Sequence, residues 1–168
     1  MRVAVLLAVA ALVAGCAAEP PPTPPVSPGT SAAPREVNVI AKEWTFVPPV
    51  VDLVPGETIL LHLVNGGTEV HEAVIGGAAV QDAWERAEAA AGFAPPGQTP
   101  AVSVAPGVAG LRVVARSGER VDATWTVPLD GPDADGFVVG CHIPGHWAQG
   151  MVVPVRWIGR DGKPLPSR

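Results

Sequence analysis

The chain has 168 residues, 11 Lys+Arg against 16 Asp+Glu, and a formal net charge of -5. That balance excludes the basic footprint of a nucleic-acid binder. Charged residues make up only 16% and Cys only two positions, which excludes a long coiled coil and a disulfide-dense scaffold. Gly and Pro together fill 39 positions, so an ordered part joined to an extended part is expected.

Arg2 precedes an unbroken apolar run from Val3 to Ala14, which ends in Val13-Ala14-Gly15-Cys16. The run is too short to span a bilayer and has the length of a signal-peptide core. Small residues directly before a Cys resemble the bacterial lipoprotein cleavage box. The resemblance implies a signal peptide over 1–15 and lipidation of Cys16. Ala17 to Arg35 then carries Pro at 20, 21, 22, 24, 25, 28 and 34. Such a segment buries too little to fold, and residues 16–35 are expected to be an extended tether.

A domain over 36–160 follows, in which short apolar runs alternate with Gly/Pro punctuation. This predicts an all-β, antiparallel architecture. Val37 to Phe46 reads as the first strand, with a turn at Pro55-Gly56. Ile59, Leu61 and Leu63 share one face of the next, with Leu60, His62 and Val64 on the other. Asn65-Gly66-Gly67 breaks it, and Val70 to Ile75 resumes. Val80, Ala83, Trp84 and Ala87 recur at helical spacing and predict one short inserted helix over 79–91, stopped by Gly92. Phe93 to Gly107 reads as loop. Leu111 to Ala115 and Arg120 to Val127, either side of Ser117-Gly118, suggest a hairpin. Phe137 to Cys141 and Val152 to Ile158 are the last strands, and 161–168 is a polar tail. Trp44, Trp84, Trp125 and Trp157 fall on predicted elements and are expected in the core. His62 is expected to be a partly exposed strand residue.

The chemistry gathers between Gly140 and Met151. Cys141, His146 and Met151 are spaced Cys-x4-His-x4-Met, and His71 lies on another predicted strand. A thiolate and two imidazoles with a weak axial thioether suit a redox copper, because thiolate and thioether favour Cu(I) while imidazole suits Cu(II). Pro144, Gly145 and Gly150 allow one loop to fold back and present three donors. Met151 is the only Met besides Met1, and Cys141 is the only thiol left once Cys16 is lipidated. Zinc fits less well, since Met is a poor zinc ligand. A Cys141–His146 nucleophile would leave Met151 without a role.

This loop, with Asp52-Leu-Val-Pro-Gly-Glu-Thr and Asn65-Gly-Gly-Thr-Glu-Val-His71-Glu-Ala-Val-Ile, resembles the cupredoxins, the blue copper proteins of the plastocyanin, azurin and auracyanin group. The resemblance implies a Greek-key β-sandwich and one type 1 copper. His71, Cys141 and His146 would be equatorial ligands and Met151 the axial one. It implies an electron carrier rather than an enzyme, a monomer with a redox donor and acceptor. No small-molecule substrate and no nucleic acid are expected. With a lipidated Cys16, the protein would be extracytoplasmic and held at a membrane. The alternative on the same ligands is a lipoprotein that sequesters or delivers copper. Two departures stand out. Glu72 occupies a position where the family commonly has Asn, so the side-chain tie across the site is lost or changed. Val70 replaces a Gly that azurin has before its first His. His142, directly after Cys141, is expected to point away from the copper.

Overall fold

The computed structural model describes residues 24–99 and 101–166. Among the described residues, nine strands form two packed sheets: β1 Arg35–Lys42, β2 Thr45–Val47, β3 Val51–Leu53, β4 Thr58–Asn65, β5 His71–Gly76, β6 Leu111–Ala115, β7 Arg120–Thr126, β8 Val138–Gly140 and β9 Val152–Trp157. One sheet has the order β2-β1-β4-β7 and the other β3-β9-β8-β5-β6. The helix α1, Ala78–Ala91, is inserted between β5 and β6. Most pairings are antiparallel, but β1–β4 and β3–β9 run parallel.

Period-two patterning builds the core. Val37, Val39 and Ala41 of β1 and Ile59, Leu61 and Leu63 of β4 turn inward from one sheet. Ala73, Ile75, Val113, Ala115, Val139 and Val153 meet them from the other. Fully burying each large aliphatic side chain contributes roughly 1.5–3 kcal/mol against the entropy of ordering the chain.

Five sequence expectations change. The first predicted strand is two strands, because the chain turns tightly at Glu43-Trp44 so that Lys42 pairs with Thr45. Trp44 sits there at φ 61, a left-handed conformation that a bulky residue rarely adopts, and its side chain is 41% exposed rather than in the core. β6 and β7 are not a hairpin: β6 pairs with β5 and β7 with β4, so the intervening turn carries the chain from one sheet to the other. Buried Asn65 fixes that corner. Its Nδ2 donates to the carbonyls of Glu69 (2.7 Å) and Ala115 (2.9 Å), and its own carbonyl accepts from the Gly118 N–H (3.0 Å). His62 is buried, not partly exposed.

The fifth change is at the tether. Residues 26–34 are seated on the domain: Val26 N–H donates to the Arg160 carbonyl (3.2 Å), and Thr58 N–H to the Gly29 carbonyl (3.0 Å). Buried Glu57 closes the joint, bound to the Arg35 guanidinium and accepting from the Val54 N–H at 2.8 Å. Residues 26–34 therefore pack with the domain, and the rest of the expected tether, 16–23, lies outside the described residues.

Helix α1 meets the sheet through a mixed face. Trp84 is buried as expected, but so are Gln81 and Glu88. Gln81 Nε2 lies within 3.0–3.3 Å of the carbonyls of Gly76, Val74 and Val138, which fastens the helix across β5 and β8. Among the described residues, no helix is long and apolar enough to cross a membrane.

Candidate metal centre

Three predicted ligands come together at one end of the sandwich. His71 opens β5, Cys141 directly follows β8, and His146 lies in the loop between β8 and β9. All three are buried, and one donor atom from each lies within 4.8 Å of the others. His71 Nδ1 is 3.2 Å from His146 Nδ1, which is 3.3 Å from Cys141 Sγ.

The loop that carries Cys141 and His146 is closed by its own backbone. Cys141 N–H donates to the Met151 carbonyl (3.1 Å), Met151 N–H to the His146 carbonyl (3.2 Å), and His146 N–H to the Ile143 carbonyl (2.9 Å). Gly145 and Gly150 take φ of 94° and 86°, values that favour glycine, and so permit the fold-back. Met151, the fourth predicted ligand, is completely buried at the base of this loop.

The donor set fits a soft or borderline cation. Burial holds both imidazoles below the usual histidine range, His146 at about 4, with the neighbouring His71 adding to the effect there. Burial, then the Glu72 charge, pushes the Cys141 thiol up to about 12. Without a metal the pocket thus holds two neutral imidazoles and a thiol. A cation binds neutral imidazole directly and stabilises the thiolate by displacing its proton. His71 Nε2, on the far edge of the ring, is buried and has no hydrogen-bond partner among the described residues.

Around the three donors lies a shell that sequence reasoning largely missed. Glu72 is fully buried; its Oε1 accepts the backbone N–H of His142 (3.0 Å) and its Oε2 binds Arg112 Nε (2.6 Å). The side-chain tie that the Asn-to-Glu change put in question is present in altered form. Arg112 also binds Glu88 of α1 (2.7 Å) and lies 4.7 Å over the Trp84 ring. The His142 ring turns to the helix, 2.7 Å from Gln81 Oε1 and 2.7 Å from Glu85 Oε2, and stacks on Trp147. It takes no part in the donor cluster. On the other side Trp44 sets its edge against His146, centroids 4.9 Å apart. Glu43 accepts from the N–H and hydroxyl of Thr68, clamping the turn that leads into His71. One signal was available in the sequence: Glu72 and Arg112 are charges inside otherwise apolar strand runs, and buried charges require partners.

The two sheets and the one inserted helix match the cupredoxin β-sandwich fold. Its structural neighbours are auracyanins. Reduced auracyanin from the photosynthetic bacterium Roseiflexus castenholzii aligns at 25% identity and TM-score 0.52, over 76% of this chain and 98% of its own. Auracyanin B aligns at 24% identity and TM-score 0.54, over 83% and 100%. Auracyanin A, described as a "blue" copper protein from the green thermophilic photosynthetic bacterium Chloroflexus aurantiacus, aligns at 21% and 0.50, over 73% and 98%. A scan against protein-family models finds no match, and a search of curated proteins finds none.

Proposed function

We propose that this chain is a type 1 copper protein that carries single electrons between redox partners, with His71, Cys141, His146 and Met151 as its ligands. The observation that carries the reading is the buried His71–Cys141–His146 cluster on a cupredoxin fold. Copper bound there would supply a one-electron Cu(I)/Cu(II) couple. The protein's part is to hold the donors still. His71 opens β5 and Cys141 directly follows its paired strand β8, and His146 is fixed by a loop whose backbone bonds close on themselves. A site held this way rearranges little between oxidation states, which is what fast transfer requires.

Partners would dock where His146 lies nearest the surface. Trp44, Phe93, Pro95, Pro96, Ile143 and Pro144 line a shallow cleft beside it. Phe93 is 87% exposed, which gives this rim a strongly apolar side chain for a partner to cover. The sequence features at 1–16 support an extracytoplasmic protein anchored through lipidated Cys16. Conversion of Cys16→Ser should then release the protein from the membrane fraction, and unchanged retention would sink the anchor.

The decisive experiment adds Cu(II) to residues 24–168 and to the Cys141→Ser variant, recording visible absorption and electron paramagnetic resonance. An intense thiolate-to-copper band with narrow copper hyperfine splitting, absent from the variant, is expected. Tight copper binding without that band, or a band without reversible reduction, would instead favour copper sequestration.

A further inference from the structure

Buried strand charges are costly unless each finds a partner, so the cluster Glu72–Arg112–Glu88 demands a reason. Both carboxylates are fully buried and one guanidinium serves both. Arg112 stands on β6, whose neighbour β5 carries Glu72, while Glu88 comes from α1. The planar fork uses Nε for one carboxylate and Nη2 for the other, while Trp84 covers its face. A lysine ammonium, a point charge on a flexible stem, could not span both in this way. The second oxygen of Glu72 reaches the N–H of His142, the peptide that joins Cys141 to the rest of the loop. A continuous line of short polar contacts therefore runs from the inserted helix to the residue beside the thiol.

We propose that Arg112 is a positioning residue for Cys141, acting through Glu72. This rests on the copper reading for its functional meaning, but its geometry does not need the metal. Arg112 fixes the rotamer of Glu72, Glu72 holds the His142 N–H, and the Cys141–His142 peptide is thereby held against β5. Glu88 and Trp84 fix Arg112 in turn, so the inserted helix serves as an outer brace on the ligand loop. Second-sphere groups of this kind set the orientation of first-sphere donors, and their loss commonly costs 10–100-fold in metal affinity.

The test compares Arg112→Met, Glu72→Ala and the double variant by two readouts. In the metal-free protein, hydrogen exchange of the His142 amide should speed up at least tenfold in each single variant, relative to the amides of Val138 and Val139. The double variant should add nothing, because a residue that acts only through Glu72 has nothing to act through once Glu72 is gone. In the copper-loaded protein, the reduction potential should move in Arg112→Met, and by less than a third as much when the same change is made in the Glu72→Ala background. Arg112→Lys should recover less than half of either effect. Were Arg112→Met to fail to fold, Arg112→Lys and Glu72→Ala carry the same comparison. An unchanged His142 exchange rate, additive effects in the double variant, or full recovery by lysine would overturn the proposal. A wild-type chain with no copper–thiolate band would overturn the copper reading and the functional part of this inference together. A normal band with unmoved exchange would overturn this inference alone.

Discussion

Two buried strand histidines make an instructive pair. His62 on β4 and His71 on β5 are both almost inaccessible, yet their surroundings differ completely. His62 faces Asp122 directly across the β4–β7 ladder, with Nδ1 2.8 Å from the carboxylate and 2.7 Å from the Arg120 guanidinium. Its ring is held by permanent charges of its own protein. The Nδ1 of His71 faces another imidazole, with the Cys141 thiol beyond it, and its Nε2 meets no hydrogen-bond partner among the described residues. A histidine becomes a ligand candidate through what is left for its lone pair to do, and burial alone does not make one. The arginines repeat the contrast. Arg120 lies on the exposed side with Asp122, whereas Arg112 is enclosed between two buried carboxylates.

The largest way to break the comparison is at the donors. His71→Ala should abolish the copper–thiolate band that His62→Ala leaves intact, as read by copper titration; equal losses would dissolve the distinction. Next come the arginines. Arg112→Met strands two buried carboxylates and should cost about 3–5 kcal/mol in denaturant unfolding, the range for one-sided removal of a buried pair. Arg120→Met, made on the surface, should leave the midpoint nearly unmoved.

A third contrast appears against pH. Burial, then the neighbouring Glu72 charge, raises Glu88 from 4.5 to about 7. Between those values the folded protein holds a proton that the unfolded chain has released. Stability should therefore fall as pH rises from 4.5 to 7, by at most about 1.4 kcal/mol per unit, and level off above. Glu88→Gln should flatten that slope in unfolding measured from pH 5 to 8. Asp122 has the opposite sign: the Arg120 hydrogen bond, then His62, lowers it from 3.8 to about 2. Its contribution is present above 3.8 and lost as pH falls towards 2. Asp122→Asn should remove that small acid-side loss, and unchanged acid unfolding would mean that solvent screens the pair entirely.

Much of the fold was legible because its signals are local. Alternation at Ile59, Leu61 and Leu63, helical spacing around Trp84, and Cys-x4-His-x4-Met each follow from neighbours in the chain. What escaped depends on distant partners. Whether the turn after Ala115 closes a hairpin or crosses between sheets is decided by Asn65, fifty residues away in sequence. Trp44 read as core because its strand pattern continued through it, and only the tight turn at Glu43-Trp44 carries it out beside His146. His62 looked half-exposed because Asp122 and Arg120, which enclose it, belong to another strand. Glu72 was recognised as a departure, but its partners on β6 and α1 could not be read from spacing.

Were the chain anchored through Cys16, the seating of residues 26–34 would decide which way the molecule faces. Gly29 is fastened at Thr58, the first residue of β4, while Asn65 at the far end of that strand leads into the turn before His71. Eight residues of strand separate the two ends, about 25 Å. The seated residues thus lie at the pole opposite the donor cluster. Only nine residues, 17–25, lie between Cys16 and that pole, and fully extended they span roughly 30 Å. Were Cys16 acylated, the domain would stand on a short stalk with its metal end outward, like a lamp on a post. Partners free in the aqueous space would meet that end directly, while one embedded in the same bilayer would have to rise towards it or wait for the domain to bow.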